Sequence, residues 1–237
     1  WALGLLAIIR AEAKNRWLWW GLFGGALGLG LLSKHAMVFF LLGFIVDSLW
    51  RRQDDPLWQR GRFWCEIGLA VVIYFPNLMW NWSLGFPSYL HTGENINING
   101  NLINPIKALE FLASQFGVFG PILLACYLGL IGMLLMRRSN GEVLTDRQRQ
   151  LFSYSLPILV LITVEAFLTR AHANWAATAY VAATVLVAAE LIQRNRTNWL
   201  KGSLAVHVVA AVVLYNFDLI ARTLDVPITP GLDPARR

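Results

Sequence analysis

The stretch WLWWGLFGGALGLGLLSKHAMVFFLLGFIVDSLW, residues 17–50, decides the fold of this chain. It is apolar almost throughout, and its main polar interruption is Ser33-Lys34-His35 in the middle. A straight helix rises about 1.5 Å per residue, so this stretch would reach roughly 50 Å, whereas the hydrocarbon core of a bilayer is about 30 Å thick. The interruption therefore predicts two short helices that fold back as a hairpin, with Lys34 at its tip.

The rest of the chain also has the composition of a membrane protein. Of its 237 residues, 57% are hydrophobic and 14% are charged, whereas soluble domains carry about 25% charged residues. The basic residues lie in short clusters between apolar runs, which argues against nucleic acid as a partner. We predict an all-α, polytopic transmembrane helix bundle of about seven spanning or half-spanning helices plus a partial first one.

The basic clusters predict which helix ends share a side of the membrane. Of the 20 Lys and Arg residues, 14 fall in four short loops, and loops of this kind mark the cytoplasmic face. Lys34, the polar segment at 83–104 and the turn at Arg170 then fall on the outer face. The four loops are residues 10–16, 51–62, 137–149 and 194–201.

The chain divides into a membrane part and a short polar tail. We assign residues 1–221 to a transmembrane helical domain with an outer loop at 83–116. Residues 222–237 contain three prolines, which break helices, so this segment is predicted to begin an extramembrane region.

Two separated cations on the outer face, Lys34 and Arg170, point to an anionic ligand such as a diphosphate or phosphodiester headgroup. A lysine at membrane depth is costly unless it meets an anion, although it can also snorkel to lipid headgroups. Outer tryptophans such as Trp80 and Trp175 either stack on a sugar ring or anchor the chain at the interface.

Two further outer residues, His91 and Glu94, are three positions apart and would share a face on a helix. The Gly and Asn content around them predicts a loop instead, so they form a weak pair for metal binding or for acid–base chemistry. Asp47, Glu66 and Glu190 lie near cytoplasmic helix ends, where they are predicted to pair with basic residues or snorkel.

Three motifs occur in the order and spacing seen in one known family: Gly28-Leu-Gly30-Leu-Leu-Ser33-Lys34-His35; Pro76-Asn77-Leu-Met-Trp80-Asn81 with Gly85-Phe86-Pro87-Ser88 after it; and Asn174-Trp175-Ala-Ala-Thr-Ala179-Tyr180. The chain resembles bacterial family 39 glycosyltransferases over nearly its whole length. These are GT-C membrane enzymes similar to protein O-mannosyltransferases and to the aminoarabinose transferases of lipid A.

The resemblance implies that a sugar is moved from a polyprenyl-phosphate donor to a lipid, glycan or protein acceptor. The reaction would take place at the periplasmic face of the bacterial inner membrane, with membrane lipids as further partners and with a divalent metal left open. Lys34, His35 and Arg170 would bind the donor phosphate. The substrate-binding residues would be Trp80, Asn81, Tyr89, His91, Glu94, Asn174, Trp175 and Tyr180.

The catalytic carboxylate of that family lies in the first outer loop, upstream of the residues given. The chain is therefore expected to be a piece of a longer enzyme that is inactive alone, and no catalytic residue is assigned. The alternative is a transporter or flippase of polyprenyl-linked lipids, which also needs an outer cationic site. A transporter needs an inward-open path as well, and no chain of buried proton carriers marks one.

Overall fold

The computed structural model describes residues 1–51, 57–96, 103–139 and 144–223. Within these ranges all regular structure is helical. Three 3₁₀ helices, His35–Val38, Leu57–Gln59 and Ala173–Thr178, connect α-helices. The α-helices are α1 Ala2–Lys14, α2 Trp17–Ser33, α3 Phe39–Trp50, α4 Gly61–Ser83, α5 Pro87–Ile96, α6 Pro105–Val118, α7 Pro121–Ser139, α8 Asp146–Ser153, α9 Leu156–Leu168, α10 Ala179–Gln193, α11 Thr197–Tyr215 and α12 Phe217–Thr223.

Four helical segments are long and apolar enough to cross a membrane, and a fifth span is formed if one bent pair is counted as a unit. The bent pair is Pro105–Val118 and Pro121–Met136, with 119° between its halves. Together with the shorter apolar helices Trp17–Ser33 and His35–Trp50, these segments confirm the predicted all-α polytopic bundle. Beyond Thr223, the predicted extramembrane segment lies outside the described residues.

The predicted hairpin forms at Lys34. Its backbone is extended (φ −156°, ψ 128°), which ends α2 and lets the 3₁₀ helix begin. Phe23 and Phe40 lie on either side of this break with ring centroids 5.8 Å apart, whereas 17 residues of straight helix would separate them by about 26 Å. The chain therefore reverses at Lys34. Gly30 permits the tight reversal, because a Cβ there would lie 2.7 Å from Met37 Cγ.

Small residues bring α2 close to α4. A Cβ on Gly24 would lie 2.7 Å from the backbone oxygen of Glu66, and one on Gly28 would lie 3.0 Å from Ala70 Cα. These two glycines are four residues apart on one helix face, which is the small-residue spacing used where membrane helices pack closely. Around this contact Phe63 of α4 stacks with Phe23 of α2 and with Phe44 of α3.

Several helices extend beyond the bounds that the sequence predicted. Helix α1 continues through the predicted loop at 10–16 as far as Lys14, because Ala and Glu in this segment favour helix. Helix α4 passes Pro76 and ends at Ser83, since membrane helices tolerate an internal proline whose freed carbonyl finds another partner. Helix α8 occupies part of the predicted loop at 137–149, and its first turn is capped by Thr145 and Gln148.

The prediction of a loop around His91 and Glu94 is wrong, because both residues lie on α5. The helix begins at Pro87, whose fixed φ suits the first helical position. Its next N–H group, on Ser88, donates to the side-chain oxygen of Asn81 at 3.2 Å. Asn81 lies on α4, so the cap that supports α5 is a tertiary contact that the local composition of α5 does not reveal.

Ion pairs gather at the end of the bundle opposite Lys34. The buried carboxylate of Asp47 pairs with Arg51 at 2.9 Å and with Arg149 at 3.3 Å. Arg51 also pairs with Glu12, and Gln150 donates to Glu12 at 3.0 Å. On the same side Arg194 pairs with Glu190 at 3.1 Å. Asp47 and Glu190 are thus paired as predicted, and α3 alone puts about 18 Å between this end and the Lys34 tip.

Candidate functional site

The break after α2 opens into a cavity of about 300 Å³. Four segments far apart in sequence form its walls: the Lys34 tip, α5, α9 and the 3₁₀ helix at 173–178. The cavity therefore brings together Lys34, His35 and Trp175 of the predicted site. Its lining residues are Lys34, His35, Ala36, Val38, Phe39, Thr92, Glu165 and Trp175.

Lys34 supplies the positive charge of the cavity. Its side chain is exposed, and its backbone is fixed by hydrogen bonds to Gly30 on one side and Met37 on the other. Within the described ranges the ammonium has no hydrogen bond or ion pair. The cavity thus presents a cation whose hydrogen-bonding capacity remains available to a ligand.

His35 is held in the wall by aromatic neighbours. Its ring stacks on Tyr89 of α5 with centroids 5.3 Å apart and 16° between the planes. The Tyr89 hydroxyl in turn lies 2.8 Å from that of Tyr74 on α4. These contacts join the tip to α4 and α5, so the imidazole is oriented by rings and not by an acidic partner.

Helix α5 turns one face toward this cavity. Thr92 lines the cavity and Tyr89, one turn earlier, contacts His35, so residues with this spacing share the inner face. His91 and Glu94 lie on a different face of the same helix and are exposed. The structure therefore places these two predicted substrate-binding residues outside the cavity wall.

The cavity contains one acidic residue that the sequence analysis missed, Glu165. It is half-buried near the end of α9, and its carboxylate has no hydrogen-bond or ion-pair partner among the residues that the structure describes. An ionisable residue inside an apolar helix is a functional candidate by default. That signal is present in the run Leu156–Leu168, although the acids singled out above in apolar helices are Asp47, Glu66 and Glu190.

Arg170 lies in a neighbouring cavity of about 320 Å³ and not beside Lys34. This second cavity is formed by α6 and the segment after α9, with Lys107, Glu110, Phe111, Ser114 and His172 among its lining residues. The N–H of Asn104 donates to the carbonyl of Phe167 at 2.6 Å, which holds the start of α6 against the end of α9. This contact directs the Arg170 segment toward α6, so the predicted grouping of Lys34 with Arg170 is not seen.

The two cavities meet at the 3₁₀ helix. His172 lines the cavity of Arg170 and Trp175 lines that of Lys34. Their ring centroids are 5.1 Å apart. Lys34 and Arg170 therefore line two adjacent cavities that adjoin at the 3₁₀ helix.

Two predicted substrate-binding residues are buried in the helix bundle, where they bond to neighbouring protein groups. Asn81 is fully buried, and besides accepting from Ser88 it donates to the backbone carbonyl of Asn77 at 3.1 Å. Tyr180 is buried, donates to Gln115 at 2.8 Å and stacks on Phe119. The remaining two, Trp80 and Asn174, are exposed and do not line the Lys34 cavity.

The described part of the chain gathers no metal ligand set. No group of three His, Cys, Asp or Glu side chains there could hold a metal ion. The Lys34 cavity contributes one imidazole and one carboxylate. Its chemistry consists of a cation, a carboxylate and an indole set in an apolar wall, which suits a ligand with a phosphate and a polar ring.

Comparison with known proteins gives two matches. Residues 1–80, which include the Lys34 tip and most of α4, match the model of the dolichyl-phosphate-mannose-protein mannosyltransferase family. The chain is also 32% identical over 195 residues to the lipid A galacturonosyltransferase RgtD of Rhizobium johnstonii. The alignment covers 80% of this chain and 38% of that relative's length.

No solved structure gives a significant match to the chain. The family model and the relative nevertheless describe the same kind of enzyme, because both are glycosyltransferases by description. The helical architecture is that of an all-α polytopic membrane protein. Residues 1–80 are therefore similar to the dolichyl-phosphate-mannose-protein mannosyltransferases, and 195 residues of the chain are similar to a lipid A galacturonosyltransferase.

Proposed function

We propose that the protein transfers a sugar from a polyprenyl-phosphate donor to a lipid acceptor at the outer face of the bacterial inner membrane. The observation that carries this proposal is the unpaired Lys34 ammonium in a cavity that also contains Glu165 and Trp175. A lipid acceptor is favoured over a protein because the relative is described as acting on lipid A.

Lys34 would stabilise the leaving phosphate. In the transfer step an acceptor oxygen attacks the anomeric carbon and the bond from that carbon to the phosphate oxygen breaks. The electron pair stays on the phosphate, so negative charge grows there while the acceptor loses its proton. A fixed cation in a partly dry site stabilises that charge more than water does. The apolar side chains of Ala36, Val38 and Phe39 line part of the cavity wall.

Trp175 would hold the sugar ring. It lies on a different segment from Lys34 but lines the same cavity, so an indole face and an ammonium are available to one ligand. His35, fixed on Tyr89, would add a second polar contact to the phosphate. Arg170, in the adjoining cavity, would then contact the acceptor or the entering lipid instead of the donor phosphate.

The proposed outer location of the site follows from the charge distribution. Arg51, Arg149 and Arg194 lie at the end of the bundle opposite Lys34, and arginine-rich ends are retained on the cytoplasmic side. The Lys34 cavity would accordingly open toward the periplasm.

A polyprenyl-lipid flippase is the other candidate, and one feature bears on it. A cavity of about 280 Å³ at the opposite end is lined by Glu190, Arg194 and Arg196, as a second phosphate site would be. Along α10, however, Ala182, Ala183 and Leu186 are buried between this cavity and Trp175. This packing supports a site open to one face over a path through the bundle.

The test is transfer from a synthetic polyprenyl-phosphate sugar to lipid A in native membranes containing the full-length enzyme. Lys34→Ala is expected to lower turnover about a hundredfold or more, the usual cost of removing one electrostatic donor. Lys34→Arg is expected to restore only part of it, because a planar fork does not replace a compact ammonium. Lys201→Ala, at the cytoplasmic end, is the matched control and should leave turnover unchanged.

Near-wild-type turnover in Lys34→Ala, with normal insertion and expression, would contradict the proposal. Movement of the lipid across the bilayer without sugar transfer would instead favour the flippase.

A further inference from the structure

We propose that Glu165 binds the sugar of the donor, accepting hydrogen bonds from its hydroxyl groups while Lys34 holds the phosphate. This inference rests on the proposed function and assigns a residue to the recognition of the sugar.

The two charged side chains approach one cavity from different segments. Lys34 lies at the tip between α2 and α3, and Glu165 lies on α9, yet both line the same wall. They form no ion pair with each other or with any other described residue. A cation and an anion that share a cavity without pairing leave room between them for a ligand that contacts both.

The properties of such a ligand follow from the two charges. A free phosphate would be attracted by Lys34 and repelled by Glu165, whereas a phosphate bearing a sugar places hydroxyl donors beside the carboxylate. A carboxylate accepts hydrogen bonds through both oxygens, and bonds to a charged acceptor are stronger than neutral ones. Glu165 therefore favours a sugar phosphate over the bare lipid phosphate that remains after transfer.

The position of Glu165 is fixed by the end of its helix. The backbone carbonyl of Glu165 accepts from the N–H of Thr169 at 2.8 Å and from the Thr169 hydroxyl at 3.1 Å. Two residues further on, the carbonyl of Phe167 accepts from Asn104 at the start of α6. The last turn of α9 is thus anchored, which fixes the backbone from which the Glu165 side chain reaches the cavity.

The cost of leaving this carboxylate unpaired supports a role in binding. A half-buried carboxylate without a partner is unfavourable within an apolar helix. Neighbouring positions on α9 are filled by Val164 and Ala166, so an apolar residue would fit at 165 as far as local packing is concerned. A ligand that supplies hydroxyl donors removes the penalty whenever it binds.

The test compares two lipids on the purified protein in lipid nanodiscs. One is a polyprenyl phosphate, and the other is the same lipid carrying glucose, mannose or galacturonic acid, whichever binds wild type most tightly. Lys34→Ala is expected to weaken binding of both lipids. Glu165→Ala is expected to weaken binding of the sugar-bearing lipid by about tenfold or more. Binding of the bare polyprenyl phosphate is expected to be unchanged or tighter. Glu165→Gln keeps the shape of the side chain, and its affinity for the sugar-bearing lipid is expected to fall between those of wild type and Glu165→Ala. Asp146→Ala, which removes an exposed carboxylate at the opposite end of the bundle, is the matched control.

Three results would overturn the inference. The first is that Glu165→Ala weakens binding of both lipids equally. The second is that the wild-type protein binds none of the sugar-bearing lipids more tightly than the bare phosphate. The third is unchanged binding with lost turnover, because the carboxylate would then act on a proton and not on the sugar. In the first and third cases Lys34-dependent binding persists and the proposed function stands. Failure of wild type to bind either lipid would contradict the proposed function itself.

Discussion

Arg149 forms two ion pairs that differ mainly in burial, and this difference predicts the effect of removing each acid. Asp47 pairs with Arg149 at 3.3 Å and has a side chain that is 2% exposed, whereas Asp146 pairs with it at 2.6 Å and is 82% exposed. Asp47 also pairs with Arg51. Asp47→Asn therefore removes the buried counter-charge that two partly buried arginines share, while Arg51 keeps Glu12 and Arg149 keeps Asp146.

The expected cost of Asp47→Asn is about 2–3 kcal/mol, below the range of about 3–5 kcal/mol for leaving a buried charge uncompensated, because each arginine keeps a second acid. Asp146→Asn is expected to cost about 1 kcal/mol or less, because exposed pairs are screened by water. Reversible unfolding of the purified protein in detergent–SDS mixtures measures both free energies. The shorter pair would thus contribute less than the longer one.

Equal destabilisation by the two substitutions would refute the reasoning that burial determines how much each ion pair contributes to the unfolding free energy. A double-mutant cycle between Asp47 and Arg149 provides the second measurement, since it isolates their coupling from the loss of the Arg51 pair. A coupling near zero would show that Asp47 acts through Arg51 alone.

Two glycines give further predictions. Gly28→Ala is expected to lower the unfolding free energy by about 1–3 kcal/mol, because the new Cβ would lie 2.8 Å from Ile73 Cβ and force α2 away from α4. Gly25→Ala is the control on the same helix, where a new Cβ would have no atom within 4 Å. It should be neutral or stabilising by up to about 1 kcal/mol. Gly120→Ala combines a φ of +83° with a Cβ placed 2.5 Å from His207 Nε2 and should cost at least about 1 kcal/mol. Adding His207→Ala should recover only the part due to contact, and full recovery in the same unfolding assay would contradict a backbone cause.

The hairpin and the helical class could be predicted because their causes are local. A lysine between two apolar runs breaks the hydrophobic pattern and carries a charge that must leave the bilayer core. The sequence alone therefore locates the hairpin tip at Lys34. Asp47 and Glu190 were likewise correctly paired with basic neighbours, since each acid lies four residues from an arginine on its own helix.

Helix α5 could not be predicted, nor could the separation of Lys34 and Arg170 into two cavities, because both depend on contacts between distant segments. The N–H of Ser88 is capped by Asn81 from the preceding helix, and the Arg170 segment is directed toward α6 by the bond from Asn104 to Phe167. Glu165 is a different case, since the sequence displays an acid in an apolar run. What the sequence does not show is that α9 packs so that this acid faces Lys34.

The ion pairs around Asp47 connect α1, α3 and α8 at one end of the bundle. At the other end the wall of the Lys34 cavity is joined by ring contacts such as His35 on Tyr89, which can slide without breaking a charge pair. A movement that admits a lipid and keeps the ion pairs must pivot at the Asp47 end. A tilt of about 10° over roughly 18 Å of α3 displaces its far end by about 3 Å, so a small rotation at the charged end widens the opposite end by about the diameter of a water molecule.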